Sequence, residues 1–331
     1  MKTRLYVLIA ILLTAAMLLS ACAKPAPEVK GLASYQDGKP FRFIGTNREV
    51  PVVKIMIAGF LQACTDFQLQ CELMTVDGND IAKSVELTEQ SVSLGSSGIL
   101  ATVYDKAWYG AVNKAIASGI PVVNGHFPMT SDILPGLKGW VAPDNVAYAI
   151  QAADLLAKTI GDAKGSIAIT SSTTNDGENA VAKAFRDEFK VANPRVKILD
   201  VQFETTDPAK AIAVTSAIIQ ANPDLLGAFS TTGGGATAWA ASARENNLAA
   251  GKLVIIGMDA SRENLDLVKN GEVLAVVAQP LYQEMYEGVV LLLETRIGLP
   301  IPYENVLPAP LVMKADVQPY YDILKKAEAV K

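Results

Sequence analysis

Only one histidine, His126, stands among the 331 residues, and only three cysteines, Cys22, Cys64 and Cys71. With Cys22 at the amino terminus, two cysteines and one distant imidazole are too few of the ligands zinc prefers, so no metal is expected. A lone histidine also argues against hydrolytic chemistry. A catalytic base needs a nucleophile or acid within reach, and no Ser-His-Asp or paired-carboxylate motif surrounds His126. Basic residues are outnumbered, with 29 Lys and Arg against 34 Asp and Glu, and they form no cluster, which argues against nucleic acid. The glycine run in TTGGGATAW, 231–239, lacks the Lys-Ser/Thr of a phosphate-binding loop, and no cofactor is expected. Beyond the amino terminus no stretch is long and apolar enough to span a membrane.

The one long apolar run, 5–19, follows Lys2 and Arg4 and precedes small residues. It is shorter than the ~20 residues of a membrane-spanning helix and has the layout of a secretory signal peptide, 1–21. Leu19-Ser20-Ala21-Cys22 resembles a bacterial lipobox. The resemblance implies cleavage before Cys22, acylation of its thiol, and attachment to the membrane on the periplasmic or extracellular side. An ordinary signal peptide or an uncleaved anchor is the plainer alternative. Residues 22–40 are rich in Pro, Lys, Ala and Gly and read as a tether. Export permits a disulfide. Cys64 falls near a helix end and Cys71 at the next strand's start, so a short turn could pair them; two separate buried thiols are the alternative.

Half of the residues are hydrophobic, ample for one large or two medium domains. Apolar strands alternate with helical spacing. Strands are expected at 41–46, 71–77, 98–103 and 120–125, then at 166–170, 196–203, 225–231, 252–259 and 273–279. The intervening helices fall at 53–66, 81–94, 106–118, 146–160, 178–192, 208–221, 235–246, 261–269 and 283–297. Strands this apolar are buried on both faces, which predicts parallel, helix-covered sheets of α/β type. The domain-size prior favours two sheets over one.

Ligands of such sheets bind beyond the carboxyl ends of the strands. There the sequence places Asn47 and Glu49, Tyr104 and Asp105, His126 and Phe127, Asn175 and Asp176, Glu204, Thr232, Asp259 and Gln279. Each has a bland alternative: a helix cap, a turn, or a structural histidine at a strand end. Together they predict a polar cleft beside aromatic rings. Trp108, Trp140 and Trp239 are either cleft platforms or core.

Five stretches in this order, GIPVVNGHF, APDNVAYAIQAADLLA, ANPDLLGAFSTTGGGATAWAASAREN, VIIGMDAS and GEVLAVVAQPLYQEMYEGV, resemble type I periplasmic binding proteins of the ribose/galactose class, the substrate receptors of ABC importers. The resemblance covers 43–315. It implies two Rossmann-like lobes joined by a three-stranded hinge, 41–143 plus 280–305 and 144–279 plus 306–322, with crossings near 142–145, 279–281 and 305–307. It implies closure around a monosaccharide or polyol, delivery to a membrane permease, no catalysis, and a monomer.

Residue by residue, Asp259 matches an aspartate that accepts hydrogen bonds from sugar hydroxyls, and Gln279 a hinge glutamine that touches the ligand. Thr232 and Gly233 replace a frequent Asn-Asp, and the glycines permit close backbone approach. His126 and Phe127 replace an Asp-Arg pair. Val52 and Val53 replace stacking aromatics, and no arginine stands near Glu178. These departures argue against ribose itself. A nucleoside, a furanose-like signal or an amino acid remains as an alternative ligand, a sensory receptor as an alternative partner, and an exported α/β hydrolase as an alternative activity.

Overall fold

The computed structural model describes residues 35–45, 51–76, 80–129, 134–172, 176–205 and 207–329. The leader, Cys22 and most of the tether lie outside these residues. Two α/β lobes follow one another in the chain. The first begins with β1 (Phe41–Gly45), α1 (Pro51–Asp66), β2 (Cys71–Thr75), α2 (Ile81–Ser93) and β3 (Gly98–Ala101). It continues with a 3-10 turn (Lys106–Trp108), α3 (Tyr109–Ala117), β4 (Val122–Gly125) and β5 (Gly139–Pro143). The second runs through α4 (Asn145–Ile160), β6 (Ser166–Ser171), α5 (Asp176–Ala192), β7 (Lys197–Ile198), β8 (Gln202–Phe203) and α6 (Pro208–Ala221). It is completed by β9 (Leu225–Ser230), α7 (Gly235–Glu245), β10 (Val254–Met258), α8 (Arg262–Asn270) and β11 (Ala275–Val277). The chain then forms α9 (Leu281–Arg296), β12 (Glu304–Leu307), β13 (Leu311–Val312) and α10 (Gln318–Glu328).

The first sheet is ordered β12-β5-β4-β3-β1-β2 and the second β13-β11-β10-β9-β6-β7. The two orders match position for position. Every pair is parallel except β11 with β13. The strands carry the apolar runs that the sequence predicts, and their central members, such as GILA in β3 and SIAITS in β6, are buried throughout, as parallel strands covered on both faces must be.

Two strand expectations differ. The single strand expected at 196–203 is split. Lys197 pairs with Ser166 and Gln202 with Thr170, so one extra residue intervenes on the edge strand, a bulge that interrupts the ladder. The stretch 139–143, read only as the approach to a crossing, forms β5 between β4 and β12. Its five residues end in Pro143, and they are too few to show a period.

The chain passes between the lobes at 143–145, 278–280 and 308–310. Asp144, at the first passage, caps α4 by accepting from the backbone N–H groups of Val146 and Ala147. After the second passage α9 returns to the first lobe. It packs on α1, β3, β4 and β5 through a stripe of Leu281, Met285 and Leu292. The helices α1 and α9 touch closely: a Cβ built on Gly59 would stand 2.0 Å from the Tyr282 carbonyl oxygen. The last helix, α10, lies against α1 on one side and α8 on the other.

The Cys64–Cys71 disulfide is formed, with Cα atoms 6.2 Å apart. It ties the end of α1 to the first residue of β2.

Candidate functional site

The matched sheet orders put β4 and β10 in the same place in their lobes, and the residue after each is a candidate ligand group. His126 follows β4 and Asp259 follows β10. Both hold positive φ, +74° and +67°, a region that costs non-glycine residues energy and that Asp and His enter more often than most. Each N–H donates to the neighbouring strand, His126 to the Val141 carbonyl at 2.7 Å and Asp259 to the Val277 carbonyl at 2.9 Å. Non-glycine residues held in this region cluster at functional sites, which makes this matched pair a candidate site. The two side chains lie within electrostatic reach of each other.

Buried asparagines hold both turns. In the first lobe Asn124 accepts from the Val103 N–H at 2.7 Å and donates to the Phe127 carbonyl at 2.8 Å. In the second, the Asn264 amide donates to the Met258 carbonyl at 2.8 Å, the Gly233 carbonyl at 2.8 Å and the Asp259 carbonyl at 3.1 Å. Asn264 thus fixes the glycine loop beside Asp259. Glycine at 233 leaves space that a side chain would take: a Cβ there would lie 2.4 Å from Asp259 Oδ2. The absence of a side chain at 233 makes room for the Asp259 carboxylate.

Charge couples the two turns. His126 Nδ1 lies 3.0 Å from Glu284 Oε2, and Glu284, in the first turn of α9, is fully buried. Burial pushes the imidazole down. The charge and hydrogen bond of Glu284, with the charge of Asp259 added, outweigh it and hold His126 above its ordinary value. Burial pushes the Asp259 carboxyl up to about 6, with His126 pulling against it and Glu284 adding to it. Asp259 Oδ1 and Glu284 Oε1 are buried without a hydrogen-bond partner, open acceptors in a site that calls for donors.

Gln279 stands at the second passage between the lobes, within hydrogen-bonding reach of the buried Tyr148 hydroxyl. Burial, then Asp259, raise the Tyr148 phenol far above the ordinary tyrosine value, so it remains a neutral donor. On the other side, Thr232 donates to Glu204, as does the Ser230 hydroxyl at 2.7 Å. Burial, opposed by these hydroxyls, keeps the Glu204 carboxyl raised. Glu178 accepts from the Ser172 N–H at 2.7 Å and the Ser172 hydroxyl at 2.6 Å. Tyr104, exposed, and Phe127, half-buried, bring their rings within 5.6 Å.

The remaining candidates fall elsewhere. Trp108 is completely buried and donates to Thr88 Oγ1 at 2.7 Å. It is core beneath Tyr104, its ring 6.3 Å from that ring, and not a cleft surface. Trp239 is likewise core, donating to Thr170 Oγ1 at 3.0 Å, and Trp140 is 3% exposed. Asp105 caps the 3-10 turn by accepting from the Ala107 N–H at 2.8 Å. Asn47, Glu49 and Asn175 lie outside the described residues, as does the side chain of Asp176.

The sequence does not place Glu284, Tyr148 and Glu178 beside these groups; the structure brings them there. Glu284 left a signal: it interrupts the Leu281, Met285, Gly288, Leu292 apolar stripe of α9 with an acid. Among the described residues no group of three or more His, Cys, Asp or Glu side chains could hold a metal ion, and no helix is long and apolar enough to cross a membrane.

Known proteins share this fold. A D-ribose/D-allose-binding protein of Pseudomonas aeruginosa is 29% identical over 232 residues, 67% of this chain and 70% of its own. The structure of a sugar-binding protein of a Bacillus halodurans sugar ABC transporter superposes with a TM-score of 0.79 at 21% identity, covering 86% of this chain and all of its own. An ABC transporter solute-binding protein of Agrobacterium vitis, solved with bound D-fucose, gives a TM-score of 0.74 at 26% identity, covering 84% of this chain and 97% of its own. The model of the periplasmic binding protein domain matches residues 41–298. With two α/β lobes of matched strand order and a family match over most of its length, the chain belongs to the periplasmic binding protein domain family.

Proposed function

We propose that the protein captures a neutral polyhydroxy compound, a monosaccharide or a polyol, between its lobes and presents it to an ABC permease. The observation that carries this reading is the facing pair of strained strand ends, with Asp259 as acceptor and His126 as donor. Gln279 and the neutral Tyr148 hydroxyl beside them suit hydroxyl groups. A sugar hydroxyl both donates and accepts, so a site mixing the two kinds of group can satisfy it fully. Tyr104 and Phe127 supply apolar faces for sugar C–H groups. The chemistry is binding and not turnover, and the relatives named above are binding proteins.

In this reading the lobes close about the three passages, and closure strengthens each hydrogen bond by excluding water. The protein works as a monomer, exported and held to the membrane through a lipid on Cys22. Replacing Cys22 with serine should release it from the membrane fraction and abolish lipid labelling.

The test of the ligand class is thermal unfolding of the exported chain against pentoses, hexoses, polyols, nucleosides and amino acids. A ligand of the native state raises the midpoint by mass action. One sugar or polyol should raise it by several degrees, and Asp259→Ala should lose that rise. A response to a nucleoside or amino acid alone would overturn the sugar reading.

A further inference from the structure

Glu284 belongs to none of the strand ends that face the cleft. It sits in the first turn of α9, where its N–H donates to the Pro280 carbonyl at 2.8 Å, five residues after Gln279. Its burial is complete, and it occupies a position on the otherwise apolar stripe of α9. A buried carboxylate is retained only where a partner compensates its desolvation. Here the partner is His126, at 3.0 Å through Nδ1. That contact fixes more than charge. An imidazole whose Nδ1–H is committed to a carboxylate has its ring plane and tautomer set, and its other nitrogen is directed by the same bond.

We propose that Glu284 is a positioning residue for ligand capture: it holds the His126 ring through Nδ1 and favours the imidazolium, whose Nε2–H is then the donor offered to a ligand hydroxyl whose own proton is donated to Asp259. The inference rests on the polyhydroxy reading of the cleft. It makes the site selective for two neighbouring hydroxyls, or one shared hydroxyl, that bridge an acceptor on the second lobe and a donor on the first. Closure then links the lobes through the ligand, along Glu284, His126, ligand and Asp259.

The titratable groups around the ring come from several elements. Glu284 is on α9, Asp259 follows β10, and Tyr148 on α4 feels both of those carboxylates, as well as Glu178 on α5. Removing the Glu284 charge therefore leaves Asp259 as the remaining charge acting on the imidazole. The raised folded value of His126 means that its contribution to stability is fully present below its ordinary 6.5 and is lost as pH rises through the folded value.

The protein has one imidazole, so ring 15N signals of the exported chain, purified without a histidine tag, report its tautomer and protonation without assignment. In the ligand-free wild type the ring should titrate above 6.5 and, once neutral, keep its proton on Nδ1. In Glu284→Gln, which is isosteric, the midpoint should fall by about one pH unit or more. The alkaline limb of sugar or polyol affinity should fall with it. In the background of His126→Asn, the Glu284→Gln change should no longer alter affinity. Unchanged ring titration in Glu284→Gln overturns the proposal, as does an affinity loss of the same size with and without His126. If no polyhydroxy compound binds the wild type, the sugar reading fails. The ring titration then still decides whether Glu284 holds His126, and the donor role assigned to Nε2 falls with the ligand.

Discussion

At the scale of single residues, Asp259 shows function and stability in opposition. Its folded value, about 6 against an ordinary 3.8, means that the folded protein holds the proton more tightly than the unfolded chain. The group therefore favours folding below pH 3.8 and loses that contribution as pH rises through about 6. At pH 7.5 the ionised carboxylate costs the ligand-free protein about 3 kcal/mol. Asp259→Asn should leave the ligand-free melting midpoint at pH 7.5 unchanged or higher while ligand affinity drops at least tenfold. A lower midpoint would mean that the carboxylate stabilises the fold. Acidification should act likewise. A ligand that donates to the carboxylate should lose affinity as pH falls below about 6, approaching tenfold per pH unit. Gly233→Ala should mimic part of this loss, because the new Cβ would meet Asp259 Oδ2. The positions of His126 and Asp259 at the ends of β4 and β10, and of Gln279 two residues beyond β11, were legible in the sequence because each follows an apolar run. Glu284 and Tyr148 were not, because they reach the site from helices, where a polar residue in an apolar stripe is easily read as surface. Trp108 was read too generously. Its indole satisfies its N–H on Thr88 within the core, a pairing 20 residues apart that helical spacing cannot show.

At the scale of elements, parallel strands buried on both faces leave continuous apolar runs, and these make most strand positions legible in the sequence. Short edge strands were harder. The bulge between β7 and β8 and the five residues of β5 carry too little period, and β13 has only two residues. Two contacts between elements make measurable claims. The Cys64–Cys71 bond closes a loop with a sequence separation of 7, and loop-closure entropy for that length corresponds to about 2–3 kcal/mol. A Cys64→Ser, Cys71→Ser double variant should therefore melt several degrees lower, with ligand affinity little changed, since the bond lies away from the cleft residues. The close approach of α1 and α9 at Gly59 tests packing against propensity. Alanine is favoured over glycine in a helix by about 1 kcal/mol, but here its Cβ would strike the Tyr282 backbone oxygen, and backbone cannot swing aside. Gly59→Ala should be destabilising by about 1–3 kcal/mol in chemical denaturation; a gain would show that the helices separate freely.

At the scale of the whole molecule, one architecture is repeated. Two sheets of matched order present Asp259 and His126 from equivalent strand ends, and three passages of the chain join the lobes. The helix α10 adds a further tie, with Tyr321 donating to Asp266 on α8 and Lys326 reaching the Tyr282 hydroxyl on α9 at 3.2 Å. The lobe arrangement was legible because the α/β alternation restarts near residue 145. The bridging place of α10 was not, since its partners lie far away in sequence. The central claim is that this pair of strand ends closes on a hydroxyl-rich ligand. Its most direct test is a calorimetric titration of the exported chain, wild type and Asp259→Ala, with a panel of sugars and polyols that includes D-allose and D-fucose. The account predicts one-to-one binding of at least one compound by the wild type and its loss in the variant. Equal binding by both proteins, or heat only from a nucleoside or an amino acid, would contradict it.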